Sequence, residues 1–129
     1  MEEEEKLIEK AKEARKNAYA PYSEFKVGAA VLTLDGEIYT GCNVENSSYG
    51  LSICAERVAI FNAVSDGKRD LEAVAVIADT QEVVAPCGAC RQVIFELNEN
   101  MDVIMADMSG NRSIKSIDEL LVNGFSLKE

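Results

Sequence analysis

Residues 26–41 read KVGAAVLTLDGEIYTG, and this stretch predicts a β-hairpin. The apolar run at 26–34 predicts a buried strand. Asp35-Gly36 follows it and is a strong hairpin signal. The chain is therefore expected to return as a second strand over 37–41, and so short a connection requires the two strands to be antiparallel.

A helix is predicted before this hairpin. Residues 2–18 place their apolar side chains on one face, with acidic residues at the start and basic residues after them, as the helix dipole favours. The apolar face consists of Leu7, Ile8, Ala11, Ala14 and Ala18. Pro21 ends this helix, and residues 20–25 are predicted to form a loop.

Helices and strands alternate after the hairpin, once a loop at 42–53 has passed. We expect helices at 54–66, 87–97 and 116–121 and strands at 71–78, 101–107 and 112–115. Strands separated by a helix are predicted to be parallel neighbours, and strands joined by short turns to be antiparallel. The expected fold class is α/β: a three-layer α/β/α structure with a mixed five-stranded sheet, forming one domain over residues 1–129.

Two global properties restrict the function. The chain has no histidine, which removes Ser-His-Asp and Cys-His catalysis and every metal site that needs imidazole. Its formal net charge is −10 at pH 7, from 13 basic and 23 acidic residues, whereas nucleic-acid binders need clustered Lys and Arg. A small, weakly charged substrate therefore fits better than a DNA or RNA polymer.

No part of the sequence predicts a membrane span or a secretory signal. The apolar runs are too short to cross a bilayer, and residues 2–5 are glutamates where a signal peptide would carry positive charge. We therefore expect a cytoplasmic protein without a membrane partner. In that setting the four cysteines act as metal ligands or catalytic groups rather than as disulfides.

Cys87 and Cys90 stand three apart at the start of a predicted helix, directly after Pro86. They share a face of that helix, whose N-terminus favours thiolates. Such a pair is compatible with zinc, with a redox dithiol, or with two cysteines buried as small apolar residues. The turn-forming residues around the pair favour a functional site over simple burial.

Cys54 begins the first helix after the hairpin, and Glu56 follows two residues later. A metal between the starts of the two helices would meet Cys54, Cys87 and Cys90 together. Three protein ligands leave the fourth tetrahedral position of zinc for water, which is the catalytic arrangement. Glu56 would then lie beside that water as a proton shuttle and not as a ligand.

These motifs resemble the signature of the zinc nucleoside and base deaminases, which is [His/Cys]-x-Glu followed by Pro-Cys-x-x-Cys. Further stretches resemble the small homotetrameric cytidine deaminases, and the resemblance covers nearly the whole chain. These stretches are Tyr19–Ser23, Phe25–Ala30, Thr40–Asn46, Cys54–Arg57 and Cys87–Gln92. The resemblance implies a cytidine deaminase-like fold and one zinc ion per chain. It also implies a free nucleoside as substrate, because polynucleotide deaminases carry histidine where this chain has Cys54.

The resemblance implies a reaction as well. Free cytidine and 2′-deoxycytidine would be converted to uridine and 2′-deoxyuridine with release of ammonia, as in pyrimidine salvage. Zinc lowers the pKa of bound water to roughly 7, and the hydroxide would attack C4 of the base while Glu56 moves the protons. The two helix N-termini and Arg57 would offset the negative charge of three thiolates. The alternative for Arg57 is a surface salt bridge.

The substrate pocket is expected from residues outside the metal motifs. Asn43 and Glu45 are two apart in an extended stretch, so they point the same way, and an amide beside a carboxylate suits a ribose hydroxyl. The alternative for this pair is a solvated loop. The resemblance assigns the pair to the 3′-OH, Phe25 to packing on the base, and the N–H of Ala55 to the pyrimidine O2. For Phe25 the alternative is the edge of the core.

A homotetramer with shared active sites is also implied by the resemblance, with Tyr49 and Phe125 completing the pocket of a neighbouring subunit. The helix at 54–66 is apolar almost all round, which is compatible with burial against a partner as well as the sheet. The chain departs from the family just before Phe125. It has Val122-Asn123-Gly124 after two leucines, where the family often has proline.

Two other functions stay open at the level of sequence. A deaminase of a related aminopyrimidine nucleoside, such as a nucleoside antibiotic, would differ only in the pocket. A non-enzymatic zinc-stapled binding module would need Cys42 as a fourth ligand in a closed site. Cys42 and Cys54 lack the short spacing of structural zinc pairs, which disfavours that module.

Overall fold

The computed structural model describes residues 2–80 and 83–127, and the predicted helices and strands form close to their expected positions. The helices are α1 (Glu2–Arg15), α2 (Ala55–Ser65), α3 (Gly88–Leu97) and α4 (Ile117–Leu120). The strands are β1 (Val27–Thr33), β2 (Ile38–Cys42), β3 (Leu71–Ala78), β4 (Asp102–Ala106) and β5 (Arg112–Ser116). A 3-10 helix at Tyr49–Leu51 interrupts the loop between β2 and α2. None of the helices in the described ranges has the length and apolarity that a bilayer span needs.

The first helix is shorter than predicted, ending at Arg15 rather than at residue 18. Residues 16–18 continue in tight turns, in which each N–H bonds to the carbonyl three residues before it. These turns bring Tyr19 alongside Val44 in an isolated parallel bridge. The apolar periodicity continues through Ala18, so it could not reveal where the helix gives way to the turns.

The strand order is β2-β1-β3-β4-β5. The β1–β2 and β4–β5 hairpins are antiparallel and β3–β4 is parallel, as predicted. The expectation that β2 and β3 are neighbours is wrong, because β1 lies between them and pairs with β3 in antiparallel register. β1 is buried over most of its length, so its second edge needs a hydrogen-bonding partner. The crossover through α2 therefore passes over β1 to reach β3.

Apolar side chains cover both faces of the sheet. In β1, Ala29 and Val31 face the layer of α2, α3 and α4, whereas Ala30 and Leu32 face α1. The buried residues accordingly form two clusters, one on each face of the sheet. The three-layer α/β/α architecture with a mixed five-stranded sheet is confirmed.

Two glycines allow helices to approach strands closely. A Cβ at Gly28 of β1 would lie 2.0 Å from the carbonyl oxygen of Ala11 in α1. A Cβ at Gly41 of β2 would lie 2.4 Å from the backbone nitrogen of Ala59 in α2. A larger residue at either position would push the helix away from the sheet. Gly41 thus sets the distance between β2 and the helix whose start carries predicted site residues.

The predicted site residues lie at one edge of the sheet, the edge at which β2 and β3 end. β2 and β3 run in the same direction, so both end at this edge, and the loops after them lead to the starts of α2 and α3. β1 runs the opposite way and begins there, two residues after Phe25. The carboxyl ends of parallel strands commonly bind ligands in α/β folds, and here they bring the metal and substrate motifs together.

Candidate active site

The three cysteines predicted to bind metal lie together. The Sγ atoms of Cys54, Cys87 and Cys90 are all within 4.8 Å of one another. Cys54 and Cys87 are 3.6 Å apart, and Cys87 and Cys90 are 3.5 Å apart. Tetrahedral zinc, with bonds of about 2.3 Å to sulfur, places its sulfur ligands roughly 3.8 Å apart. The donor set therefore fits one zinc ion per chain and leaves a fourth coordination position.

Two helix starts position these sulfurs. Cys54 is the N-cap of α2 and Cys87 is the N-cap of α3, and neither side chain caps its own helix. Cys90 lies in the first turn of α3 and is buried, whereas Cys87 is exposed. Free N–H groups and the positive ends of two helix dipoles are therefore close to the three thiols, which favours thiolates.

Cys42, the fourth cysteine, is not part of this group. It ends β2 opposite Gly28 of β1, and burial raises the pKa of its thiol. Within the described ranges, the group of side chains able to hold a metal consists of the other three cysteines. The fold does not assemble the closed four-cysteine site that a zinc-stapled module would need.

Arg57 contacts the cysteine cluster from α2. Its Nη2 lies 3.6 Å from the Sγ of Cys54. Hydrogen bonds from Cys90 and Arg57 outweigh burial and lower the pKa of Cys54 to about 5. The hydrogen bond to Cys54, together with burial, raises the pKa of Cys90. The site thus favours a thiolate at Cys54 even without metal, and Arg57 balances part of its charge.

Glu56 lies in the first turn of α2 and is only 4% exposed. Burial raises its pKa to about 7, and the negative charge of Cys54 acts in the same direction. A carboxyl group with a pKa near neutrality can both accept and donate a proton at physiological pH. Glu56 therefore has the properties of an acid–base group next to the cysteine cluster.

A cavity of about 290 Å³ opens beside the cysteines. Its lining includes Cys54, Cys87 and Glu56. It also includes four of the six predicted substrate residues, namely Phe25, Asn43, Glu45 and Ala55. Much of the remaining wall is apolar and is contributed by Val27, Ile53, Val76, Val84 and Ala85. An apolar cavity with a few converging polar groups is typical of a small-molecule site.

Asn43 is buried on the wall of this cavity. Its side-chain amide makes hydrogen bonds to the backbone at the start of β1. Its Oδ1 accepts a hydrogen bond from the N–H of Val27 at 2.9 Å, and its Nδ2 donates to the carbonyl of Phe25 at 2.8 Å. An amide has a second N–H and a second lone pair, so it can still bind a ligand. Asn43 thus fixes the backbone of Phe25 while facing the cavity.

Glu45 holds the loop that leads to Phe25. Its Oε1 accepts hydrogen bonds from the N–H groups of Tyr22 and Ser23, at 3.0 and 3.1 Å, and its Oε2 accepts one from the Ser23 hydroxyl. The bonds from Ser23 and then Tyr22 lower the pKa of Glu45, which keeps it ionised at neutral pH. Asn43 and Glu45 both contribute to the cavity wall, Asn43 as a buried residue and Glu45 as a half-buried residue of an irregular segment.

Sequence reasoning misses two parts of this site. Ser23 supports Glu45 through its N–H and its hydroxyl, but a serine after Pro21 signals only a turn. Val84 and Ala85 line the cavity from the loop between β3 and α3. That loop has no periodicity, so no local pattern shows that it folds over residues distant in the sequence.

Tyr49 and Phe125 do not line this cavity within one chain. Tyr49 is 77% exposed in the 3-10 helix, and its ring meets that of Tyr22 edge-on, with centroids 6.4 Å apart. Phe125 is 65% exposed, and its carbonyl accepts a hydrogen bond from Gln92 on α3 at 2.9 Å.

The site as a whole belongs to a defined class. Three cysteine sulfurs close enough to share one zinc ion, next to a cavity and a buried carboxyl group, fit a catalytic rather than a structural zinc centre. Residues 1–106 match the family model described as "Cytidine and deoxycytidylate deaminase zinc-binding region". The chain belongs to this family of zinc-dependent deaminases.

Individual relatives agree with the family model. The cytidine deaminase of Sporosarcina psychrophila is 52% identical over 126 residues, which cover 97% of this chain and 93% of the relative. The probable cytidine deaminase of Dictyostelium discoideum is 43% identical over 130 residues, which cover 100% and 88% of the two chains.

Solved structures of related enzymes have the same fold. The crystal structure of cytidine deaminase from Burkholderia pseudomallei superposes with a TM-score of 0.91 at 51% identity, covering 94% of this chain and 98% of that one. The enzyme from Mycobacterium tuberculosis gives a TM-score of 0.82 at 39% identity, covering 95% and 97%. The cytidine deaminase-like fold expected from sequence is therefore confirmed.

Proposed function

We propose that the protein hydrolyses free cytidine and 2′-deoxycytidine to uridine and 2′-deoxyuridine, with release of ammonia. The observation that carries this proposal is the meeting of the cysteine cluster and buried Glu56 on the wall of one cavity. The relatives described above carry the name of this activity, which supports the same substrate class here.

Cys54, Cys87 and Cys90 would hold one zinc ion through their sulfurs. Bound zinc supplies hydroxide at neutral pH, because it lowers the pKa of a water ligand to about 7. Three thiolates weaken that acidity through their negative charge. Arg57, at 3.6 Å from the Cys54 sulfur, reduces this charge together with the two helix N-termini.

Glu56 would move the protons of the reaction. It would accept one proton from the attacking water and deliver it to N3 of the cytosine ring. It would then take the second proton from the hydroxyl now on C4 and pass it to the departing amine. C4 thereby exchanges its bond to the amino nitrogen for a bond to oxygen, and ammonia leaves. The pKa of about 7 that burial gives Glu56 suits transfer in both directions.

The remaining wall of the cavity would hold the nucleoside. Ala55 is the first residue of α2, so its N–H has no acceptor within the helix and can donate to the pyrimidine O2. The Phe25 ring would pack on the base, and Asn43 and Glu45 would bind the 3′-OH. Among the described residues, the lining includes no Lys or Arg, which disfavours a phosphorylated or polymeric substrate.

We further propose a homotetramer with shared active sites, in which Tyr49 and Phe125 enter the pocket of a neighbouring subunit. Several other large apolar side chains of the described residues are exposed as well. They include Leu51, Phe61 and Val122. Their burial in a subunit interface would account for this exposure.

A cytoplasmic location is part of the same proposal. The four cysteines are free, and three of them must stay reduced to bind zinc, which the cytoplasm favours. There the reaction would serve pyrimidine salvage by returning cytidine to the uridine pool.

Turnover of cytidine by zinc-replete protein tests this proposal. The protein is incubated with cytidine, 2′-deoxycytidine, cytosine and dCMP, and the uracil products are measured by chromatography. We expect turnover of the two nucleosides and little of cytosine, which lacks the ribose that Asn43 and Glu45 would bind. Absence of turnover with either nucleoside, in a sample that holds one zinc per chain, would contradict the proposed substrate.

A further inference from the structure

Arg91 joins two segments that are far apart in the sequence. Its Nε donates to the carbonyl oxygen of Pro86 at 2.8 Å, and its Nη1 donates to the carbonyl oxygen of Leu120 at 2.7 Å. Pro86 directly precedes Cys87, and Leu120 ends α4. We propose that Arg91 is a positioning residue that orients Cys87 and couples the metal site to the C-terminal segment at 121–127.

Cys87 depends on its backbone for its position. Its side chain is exposed and makes no cap hydrogen bond to α3, and the contacts of its sulfur are with the sulfurs of Cys54 and Cys90. The peptide bond between Pro86 and Cys87 is planar, so a bond that fixes the Pro86 carbonyl also fixes how the chain enters Cys87. The N–H of Arg91 bonds the Cys87 carbonyl at 2.9 Å. Backbone and side chain of Arg91 thus hold the peptide groups on both sides of the Cys87 Cα.

The C-terminal segment rests on the same helix. The Leu120 carbonyl belongs to the last turn of α4 and has no partner within that helix, so Arg91 satisfies it. Gln92 bonds the Phe125 carbonyl at 2.9 Å. Gly124 packs so close to Phe95 that a Cβ would lie 3.1 Å from its ring. α3 therefore contacts this segment through Gln92 and Phe95, and through Arg91 it contacts the carbonyl just before the segment. The N-cap and first turn of the same helix carry two of the proposed metal ligands.

The chemistry of the guanidinium explains why arginine suits this position. Its five N–H groups lie in a rigid planar fork, so one side chain can donate to two carbonyl groups in fixed directions. A lysine would carry the same charge near the thiolates but has no such fork. Replacing Arg91 with lysine therefore separates the bridge from any effect of charge.

The inference rests on the proposed role of Cys87 as a zinc ligand, and Co²⁺ can report on that ligand directly. In the full-length protein Co²⁺ replaces zinc, and its absorption bands report the number and geometry of thiolate ligands. Hydrogen exchange at the amides of 121–125 reports on the other end of the bridge. For R91M we expect shifted Co²⁺ bands, loss of Co²⁺ to a chelator faster by on the order of tenfold, and faster exchange at 121–125.

Gln92→Ala is the matched control. Gln92 holds the C-terminal segment but makes no hydrogen bond to Pro86, so Q92A should show faster exchange at 121–125 and unchanged Co²⁺ bands. If R91M does not fold, R91K is measured in its place. We expect its hydrogen exchange at 121–125 to be faster than in the wild type and slower than in Q92A, and its Co²⁺ bands to be measurably shifted from those of the wild type.

Two results would overturn the bridge: an R91K protein that equals the wild type in both readouts, or an R91M protein whose Co²⁺ bands are unchanged. A wild type that shows no thiolate–Co²⁺ bands would instead refute the metal assignment on which the inference rests.

Discussion

Among single residues, Ser23 and Glu45 support the proposed pocket through the hydrogen bonds between them. The hydroxyl and N–H of Ser23, with the N–H of Tyr22, hold the pKa of Glu45 below its ordinary value of 4.5. Because the folded-state pKa lies below that of the unfolded chain, ionised Glu45 stabilises the fold above about pH 4.5. This contribution is lost as the pH falls through the folded-state pKa.

The pKa of Glu45 can be measured by NMR titration of its carboxyl carbon. We expect a value below 4.5 in the wild type and a higher value in Ser23→Ala, which lacks the hydroxyl donor. Glu45→Gln is the control: its stability should fall less than that of the wild type over the acidic range in which Glu45 titrates, although Asp35 and Asp107 still titrate there. An unshifted pKa in the wild type would show that the loop at 22–25 is not held by this carboxylate.

Among the contacts between helices and strands, the close approach of α2 to β2 matters most for the site, because α2 begins directly after Cys54. A Cβ at Gly41 would lie 2.4 Å from the nitrogen of Ala59 and 2.7 Å from the oxygen of Ala55. Gly41→Ala should therefore lower the free energy of unfolding by about 1–3 kcal/mol, as overpacking does. It should also weaken zinc retention, because Ala55 adjoins Cys54.

Gly50→Ala is the control for this change, since nothing lies within 4 Å of a Cβ there. Its free energy of unfolding should stay within about 0.5 kcal/mol of the wild type. Urea unfolding of the zinc-loaded proteins measures both variants. Equal stability of the two would mean that α2 can shift from β2 without cost.

Local patterns predicted the helices and strands because each has its own apolar period, and Asp35-Gly36 identified the hairpin. Spacing also singled out Cys54, Cys87 and Cys90, since helix starts were expected at both motifs. The order of strands could not be obtained in this way. Pairing of β3 with β1 rather than with β2 depends on which buried edge needs a partner, and that is a property of the assembled sheet.

The supporting contacts of the site were likewise beyond sequence reasoning. Arg91 bonds Pro86 and Leu120, and the second of these is 29 positions away in the chain. The same holds for the bond between Glu45 and Ser23, which joins positions 22 apart. Such contacts follow from tertiary packing and leave no periodic signal in the sequence.

At the scale of the whole molecule, active sites shared between subunits would allow two inactive variants to complement each other, which a monomer could not do. Phe125→Ala and Glu56→Gln should each lose cytidine turnover, one for lack of the ring and the other for lack of the proton shuttle. Mixed oligomers would contain some sites with an intact Glu56 from one chain and Phe125 from the other. Activity should therefore reappear when the two variants are co-expressed.

Sedimentation of the wild type gives the companion measurement and should show a tetramer at working concentration. A monomer that deaminates cytidine at full rate would contradict the shared-site proposal, and so would the absence of complementation in verified mixed oligomers. Neither result would affect the assignment of the cysteines, because all three belong to one chain.

Zinc content and cytidine turnover, measured on the same samples of wild type and Glu56→Gln, test whether the three cysteines and Glu56 form a zinc-dependent deaminase site. We expect one zinc per chain in both proteins, because Glu56 is not a ligand. We expect cytidine turnover in the wild type and a loss of at least about a hundredfold in the variant, the scale of general acid–base catalysis. Glu56→Gln with near wild-type turnover, or a zinc-loaded wild type without any, would contradict this assignment.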